Sequence, residues 1–250
     1  MSTQKQTTST ASPTPPHQQN EEPDVCCICL DELHTDRRKL TRATCCGKQW
    51  HFGCQNNVMK SKMPDELKNR CHQCRKPTPT TDKGQIEQLR EWVDKGEAWA
   101  QRMMAQWYRD GKNGLKQSYV MAHMLFEKAV AQGDPNAMYD LARLYETGQG
   151  VAQSDEKAVE LYTMATEQGH VHSMFNLGNR YRDGQGVVQS FKKGAELFTM
   201  AAERGNVNAM NSLGVLYFQG QGVDQSNELA RKWWAKAANE GHEKAINNLK

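Results

Sequence analysis

Cysteine is absent from residues 75–250, because all eight cysteines of the 250-residue chain lie between Cys26 and Cys74. Disulfide bonds therefore cannot stabilise the larger, C-terminal part of the protein. No apolar run approaches the roughly 20 residues that a membrane-spanning helix needs. The first residues also lack the apolar core of a secretory signal. We therefore expect a cytoplasmic or nuclear protein with reduced thiols and no membrane segment.

Large apolar side chains are scarce in the first 24 residues, which are rich in Ser, Thr, Pro and Gln. Such a segment cannot bury enough apolar surface to offset its chain entropy, so we expect residues 1–24 to form a disordered tail. The net charge is only +3, although residues 24–76 carry eleven Lys and Arg against six Asp and Glu. These basic residues do not gather on one face with aromatic side chains, and we expect no nucleic-acid partner.

The cysteines follow the spacing of metal ligands. Two C-x-x-C pairs, Cys26/Cys29 and Cys71/Cys74, stand at the ends of the cysteine-rich stretch, and gaps of sixteen residues separate them from the central segment 46–54. A C-x-x-C step lets two thiolates reach one tetrahedral zinc ion, and four ligand pairs can hold two ions. Disulfides are the alternative, but nothing in the sequence indicates an oxidising compartment. We therefore expect two Zn²⁺ ions within residues 25–76.

The order of ligand types resembles that of a RING finger with a histidine at the fifth ligand position. The resemblance implies a cross-brace, in which alternate pairs of ligands share an ion. It assigns the first zinc ion to Cys26, Cys29, His51 and Cys54. It assigns the second zinc ion to one further ligand together with Cys46, Cys71 and Cys74.

The further ligand of the second ion is where this chain departs from the RING pattern. Lys48 stands where the family has a histidine two residues after Cys46, and a protonated lysine cannot bind zinc. Cys45, His72 and a water molecule are the candidates for the missing position. We favour Cys45, because a thiolate supplies negative charge and the Cys45-Cys46 doublet lies at the right end of the loop.

Residues beside the first and last ligands point to a partner. Ile28 and Leu30 flank Cys29 on a loop that zinc would hold, where an apolar side chain is poorly placed for burial. In RING ubiquitin ligases the corresponding loop docks a ubiquitin-conjugating enzyme, and Ile28 matches the docking position. Arg75 matches an arginine that holds the donor ubiquitin, and a plain surface charge is the alternative. The family's proline between the last two cysteines is absent, which favours a module without ligase activity.

A repeat follows the cysteine-rich stretch. Glycines recur every 36 or 37 residues, at Gly96, Gly133, Gly169, Gly205 and Gly241. Within a unit, apolar residues such as Ala137, Leu141 and Leu144 fall at helical spacing. A pair of glycines then ends this first helix, and a Gln-Ser dipeptide supplies a serine suited to cap a second helix. A fixed period of this length with two helices per unit predicts a solenoid.

The segment AMYDLARLYETGQGVAQSDEKAVELYTMATEQG, residues 137–169, resembles a Sel-1-like repeat, a relative of the tetratricopeptide repeat. The resemblance covers four units between about residues 96 and 241. We expect a lone helix before the array, Ile86–Lys95, and another after it, His242–Lys250, to cap the stack. The histidines of the array have no partners at metal-ligand spacing, so we expect them on the surface.

These observations predict a tail at residues 1–24, a RING-like zinc-binding domain at 25–76, a linker at 77–82 and a helical array at 83–250. The predicted fold class is a small zinc-bound cross-brace followed by an all-α repeat solenoid. The first functional hypothesis is a ubiquitin ligase whose array binds a protein substrate and whose zinc module recruits a ubiquitin-conjugating enzyme. It would act by positioning its partners, without catalytic residues of its own. The second hypothesis is a non-catalytic adaptor, because fold alone does not assign function.

Overall fold

The chain divides into two units, residues 1–77 and 78–250. The computed structural model of the protein describes residues 40–42, 49–51, 79 and 81–250, with side chains at residue 79 and residues 81–250. In the first unit, strand β1 (Leu40–Arg42) pairs antiparallel with strand β2 (Gln49–His51). Thr41 lies opposite Trp50 in this pair. The predicted ligand His51 is the last residue of β2.

Residues 81–250 of the second unit fold into ten α-helices. Their bounds are α1 (Asp82–Asp94), α2 (Ala98–Asp110), α3 (Tyr119–Val130), α4 (Pro135–Thr147), α5 (Asp155–Glu167), α6 (Val171–Asp183), α7 (Phe191–Glu203), α8 (Val207–Gln219), α9 (Asn227–Asn239) and α10 (Glu243–Asn248). The most extensive contacts join α2 to α3, α4 to α5, α6 to α7 and α8 to α9, which are the two helices of units 1 to 4. Smaller contacts join each unit to the next, so the predicted all-α repeat solenoid is confirmed.

The second helix of every unit begins at the serine that the Gln-Ser dipeptide supplies. Each serine has an extended backbone, and its hydroxyl accepts a hydrogen bond from the backbone N–H three residues later. This bond satisfies one of the N–H groups that a helix leaves without an intrahelical partner. The predicted caps are therefore confirmed at Ser118, Ser154, Ser190 and Ser226.

The first helix of every unit ends on a glycine in the left-handed region. The φ angle of Gly148 is 67°, and its N–H donates to the carbonyl of Leu144, four residues earlier. A residue with a side chain is strained at this φ, which explains why each unit keeps a glycine here. The same cap recurs at Gly111, Gly184 and Gly220.

The core of the array lies between the stacked helices and is built mainly from alanine, leucine and aromatic side chains. Tyr162, Phe198 and Trp234 occupy the same position in the second helices of units 2, 3 and 4, and all three are buried. In the unit-4 pair Trp233-Trp234, Trp234 is buried and Trp233 is half-buried, because adjacent residues on a helix point about 100° apart. Phe198 and Trp234 pack on a first helix that carries only a glycine at the contact.

Lone helices stand at both ends of the four units, as predicted. Helix α10 follows the array with His242 as its N-cap. Helix α1 precedes it and begins at Asp82, four residues before the predicted start at Ile86, because the Thr81 hydroxyl accepts from the N–H of Gly84. None of the helices in the described part of the chain is long and apolar enough to cross a membrane.

Candidate functional site

The predicted zinc site lies almost wholly outside the described residues. Of its candidate ligands, only His51 lies within the described residues, where its backbone ends strand β2. The other seven favoured ligands and the alternative His72 lie outside the described residues: Cys26, Cys29, Cys45, Cys46, Cys54, Cys71 and Cys74. Within the part of the chain whose side chains are described, no cluster of His, Cys, Asp and Glu could hold a metal ion. The two-zinc site therefore stays a prediction.

The predicted docking residues have the same standing. Ile28, Leu30 and Arg75 all lie outside the described residues. Their proposed contacts with a ubiquitin-conjugating enzyme and with ubiquitin therefore stay predictions as well. The site that the structure does describe belongs to the helical array.

A polar cleft of about 480 Å³ opens between units 1 and 2. It lies where the C-terminal halves of α2 and α4 meet the start of α3. We call it the unit 1–2 cleft, and its lining consists of Arg109, Asp110, Gln117, Tyr119, Asp140, Arg143, Leu144, Thr147 and Gln149.

Arg109 joins the two units at the base of this cleft. Its Nη1 donates to Oδ1 of Asp140 over 2.7 Å, and its Nε donates to Oδ1 of Asp110 over 2.7 Å. The amide of Gln106 donates to the other oxygen of Asp140, also over 2.7 Å. Partial burial alone would lower the pKa of Arg109, but the bonds to Asp110 and Asp140 outweigh it and the pKa is raised. Both carboxylates of the cleft are thus already paired within the protein.

Asp110 is held in its charged form by two cations. The hydrogen bond from Arg109 has the largest effect in lowering the pKa of Asp110, and Lys112, whose Nζ lies 3.2 Å from Oδ2, lowers it further. The cleft therefore has no carboxylate that needs an outside cation. An unpaired cation in the lining must therefore be a residue other than Arg109 and Lys112.

Arg143 is that cation. Its side chain is exposed at the rim of the cleft, and it makes no ion pair or side-chain hydrogen bond with the rest of residues 81–250. Its backbone carbonyl accepts from the hydroxyl of Thr147 over 2.8 Å, which uses the Thr147 hydroxyl internally. The guanidinium of Arg143 therefore offers its donors to solvent or to a ligand.

The hydroxyl of Tyr119 is a second available donor. Its oxygen accepts from the amide of Gln117 over 3.0 Å and from the amide of Gln149 over 3.3 Å. The amide of Gln117 also donates to the carbonyl of Arg109, which fixes it in place. With both lone pairs of the oxygen engaged, the hydroxyl hydrogen of Tyr119 has no acceptor among residues 81–250.

The equivalent position between repeat units 2 and 3 has the opposite arrangement of hydrogen-bonding groups. Arg180 stands where unit 2 has Leu144, and its side chain is 6% exposed. The guanidinium of Arg180 pairs with Glu146, lies 2.9 Å from Oδ1 of Asp155 and donates to the amide oxygen of Gln185 over 2.7 Å. Here the lining supplies acceptors, and a residue of the chain itself fills the space between them.

Glu146 also receives a buried phenol. The hydroxyl of Tyr162 donates to Oε2 of Glu146 over 2.7 Å and accepts from the amide of Asn176 over 3.0 Å. Burial is the largest cause of the raised pKa of Tyr162, and the bond to the Glu146 carboxylate is the next. Tyr162 therefore stays neutral and couples α4 to α5 and α6.

The outward face of α3 is apolar at its start. Val120 is 57% exposed, Met124 is 48% exposed and Met121 lies beside them. The residues 36 positions after Val120 and Met124 are Glu156 and Glu160, as expected for a face in contact with water. Exposed apolar groups at adjacent turns of one helix are a feature of protein-binding surfaces.

Of the array histidines expected on the surface, His172 is exposed and the other three are half-buried with specific contacts. His170 and His242 are N-caps, and their Nδ1 atoms accept from the N–H groups of Ser173 and Ala245, each over 3.2 Å. His123 is half-buried against Tyr145. The missed signal is positional, because the residue after four of the five repeat glycines caps the next helix with its side chain, Asp134 and Asn206 being the other two. Glu97, after the first repeat glycine, makes no such bond.

Four two-helix units stacked end to end define the class of protein as a helical repeat solenoid. The model of the Sel1 repeat matches four consecutive segments, at residues 100–134, 135–170, 171–206 and 207–242. These segments make up more than half of the chain, and the protein belongs to the Sel1 repeat family.

Solved structures of similar proteins agree with this assignment. A protective antigen of uropathogenic Escherichia coli strains with an SLR fold is 28% identical, with a TM-score of 0.67 over 70% of this chain. A Sel1 repeat protein from Oxalobacter formigenes is 27% identical, with a TM-score of 0.63 over 66% of this chain. This chain covers 37% of the length of the E. coli protein and 68% of the Oxalobacter protein. No curated protein matches the sequence.

Proposed function

We propose that the protein is an adaptor whose Sel1 repeats bind a protein partner. The observation that carries this proposal is the continuous stack of four Sel1 units, because stacked helical repeats form extended surfaces suited to proteins. The exposed Val120 and Met124 support it, since apolar side chains replace the charged residues of the following unit there. The paired carboxylates and arginines between units serve packing and present no catalytic arrangement.

Capture of a partner by the full-length protein tests this function. We expect wild-type protein to retain a partner that, once identified by mass spectrometry and purified, binds directly in calorimetry. The double variant Val120→Glu/Met124→Glu is the matched test, because unit 2 already carries glutamate at both equivalent positions and the variant should fold. We expect binding to weaken by about tenfold or more, as for the loss of two buried apolar contacts. Absence of any direct partner would contradict the proposal.

The N-terminal part of the adaptor, residues 25–76, is in this proposal a module held by two zinc ions. The ligand order from Cys26 to Cys74 supports it, with Cys45 as the favoured eighth ligand. Such a module would keep a definite shape without a large core, and it could dock a second protein through Ile28 and Leu30. The adaptor would then hold two proteins at once, one on the zinc module and one on the helical array.

A RING-type ubiquitin ligase is the second candidate function, favoured by the same ligand order and by Ile28 and Arg75. In this case the zinc module would recruit a ubiquitin-conjugating enzyme, and the array would hold the substrate. Full-length protein with a panel of conjugating enzymes should then form ubiquitin chains, and Ile28→Ala and Arg75→Ala should each reduce the rate. A complete lack of ubiquitin transfer with every enzyme would rule out the ligase and leave the adaptor as the remaining candidate function.

A further inference from the structure

We propose that the unit 1–2 cleft binds an acidic side chain, Asp or Glu, of the protein partner. The inference rests on the proposed function and names the chemistry of one contact within it. Two donors that the protein leaves unused, the Arg143 guanidinium and the Tyr119 hydroxyl, line the same cavity of about 480 Å³. In the proposed complex one carboxylate accepts from both, and hydrogen bonds with an ionised partner are stronger than those between neutral groups.

Comparison of successive units shows why the occupant is an anion. Tyr119 follows the serine cap of α3, as Asp155 follows that of α5. Arg109 stands two residues before a capping glycine, as Glu146 does. The two carboxylates of the unit 2–3 junction are thus replaced by Arg109 and Tyr119 at the unit 1–2 cleft, and of these two only the Tyr119 hydroxyl keeps a donor unused.

The occupant differs in the same way. Between units 2 and 3 the guanidinium of Arg180 fills the space that the acceptors surround. Between units 1 and 2 the corresponding residue is Leu144, which has no polar group, and the space stays open. A ligand that completes this cleft as Arg180 completes the next one must carry the opposite charge.

The acidic residues of the cleft do not oppose this reading. Asp140 accepts from Gln106 and Arg109, and Asp110 is paired with Arg109 and Lys112. Arg109, Lys112 and Arg143 carry one positive charge each, and Asp110 and Asp140 carry one negative charge each. One positive charge is therefore in excess. The third junction offers no such site, because Phe191 and Val215 stand where the first has Tyr119 and Arg143.

A hexaglutamate peptide with acetylated and amidated ends is the probe, because its side chains are then its only carboxylates. Fluorescence anisotropy with the full-length protein should show binding that is at least about tenfold tighter than for blocked hexaglutamine. Arg143→Gln should weaken hexaglutamate binding by about tenfold, and Tyr119→Phe should weaken it by about threefold. The matched control is Arg231→Gln, which removes the same charge from an exposed position on α9 and should change binding less than about twofold.

Equal losses from Arg143→Gln and Arg231→Gln would overturn the inference, since binding would then follow overall charge. The absence of hexaglutamate binding, or equal binding of hexaglutamine, would also overturn it. Competition by inorganic phosphate at the concentration of the peptide would overturn the inference as well, because the cleft would then be a site for small anions. Unchanged thermal unfolding of the variants confirms that they fold.

This inference and the proposed function fail separately. If the purified partner binds wild type and Arg143→Gln equally well, the acidic-contact inference is wrong and the protein-binding function stands. If wild type binds no protein partner at all, the function itself is wrong.

Discussion

Arg180 shows how one residue changes the chemistry of a repeat junction. Units 2 and 4 carry Leu144 and Leu216 at this position, and both are buried in the core. Burial of a guanidinium is costly unless charged acceptors surround it. Glu146 and Asp155 provide them, so the charge of Arg180 and the two carboxylates depend on each other.

Arg180→Leu should therefore destabilise the array by about 1–3 kcal/mol, although it restores the leucine of the neighbouring units. The cost arises because Glu146 and Asp155 lose their cation while remaining partly buried. Adding Glu146→Gln and Asp155→Asn should recover part of the loss. Urea unfolding monitored by circular dichroism measures these changes. Arg180→Leu with wild-type or greater stability would show that the ion pairs contribute nothing.

Tyr162 should make the stability depend on alkaline pH. Burial and the bond to Glu146 raise its pKa in the folded protein, whereas the unfolded chain loses the phenol proton at about pH 10. The stability from this difference is complete below that pH and is lost as pH rises further. Between about pH 10 and 11.5, the unfolding free energy of wild type should fall more steeply than that of Tyr162→Phe. Equal slopes in urea unfolding at each pH would contradict the assignment.

Residue roles were predictable from the sequence where the residue type is typical of the role. Ser154 caps α5 as expected, because serine is a preferred N-cap. His170 caps α6 with a ring nitrogen, a use of histidine that propensity does not indicate. The open donors of Tyr119 and Arg143 could not be predicted either, because they depend on which other side chains fill the junction.

At the scale of the helix, small residues set how closely two elements approach. A Cβ atom at Gly178 would lie 2.7 Å from Cε1 of Phe198, and one at Gly214 would lie 2.5 Å from Nε1 of Trp234. The sequence has a small residue after each central leucine, which allows this close approach. It did not predict the partner ring, because the facing position is set by the crossing of two helices.

Gly214→Ala should destabilise the array despite the higher helix propensity of alanine. Propensity favours the variant by about 1 kcal/mol, but the forced shift of Trp234 should cost about 1–3 kcal/mol. Unit 2 already carries Ala142 at this position, with Tyr162 at the position of Trp234. Trp234→Tyr should therefore reduce the cost of Gly214→Ala, as urea unfolding of the single and double variants can test. A stabilised Gly214→Ala single variant would contradict the close contact.

At the scale of the whole molecule, the period of the glycines was enough to predict the array. Each unit packs mainly on its sequence neighbours, so local pattern and global fold coincide. Surface chemistry varies from unit to unit, which is why the family identifies the solenoid and leaves the partner open. The two-zinc module rests on ligand spacing alone and needs its own measurement.

Elemental analysis should find two zinc ions per chain, and Cys46→Ser should lose one of them. Because the binding energy of structural zinc is folding energy, chelation should unfold residues 26–74. The helical signal should change little, since residues 81–250 contain no cluster of metal ligands. One zinc ion in wild type would mean that the second site is empty, with Lys48 in place of a ligand.

Hydrogen exchange of the full-length protein with and without its purified partner tests the central claim most directly. A partner held by the array should slow exchange in α2, α3 and α4, around the unit 1–2 cleft and the exposed face of α3. Protection confined to residues 26–74, with unchanged exchange in every helix of the array, would contradict the claim that the Sel1 repeats bind the partner.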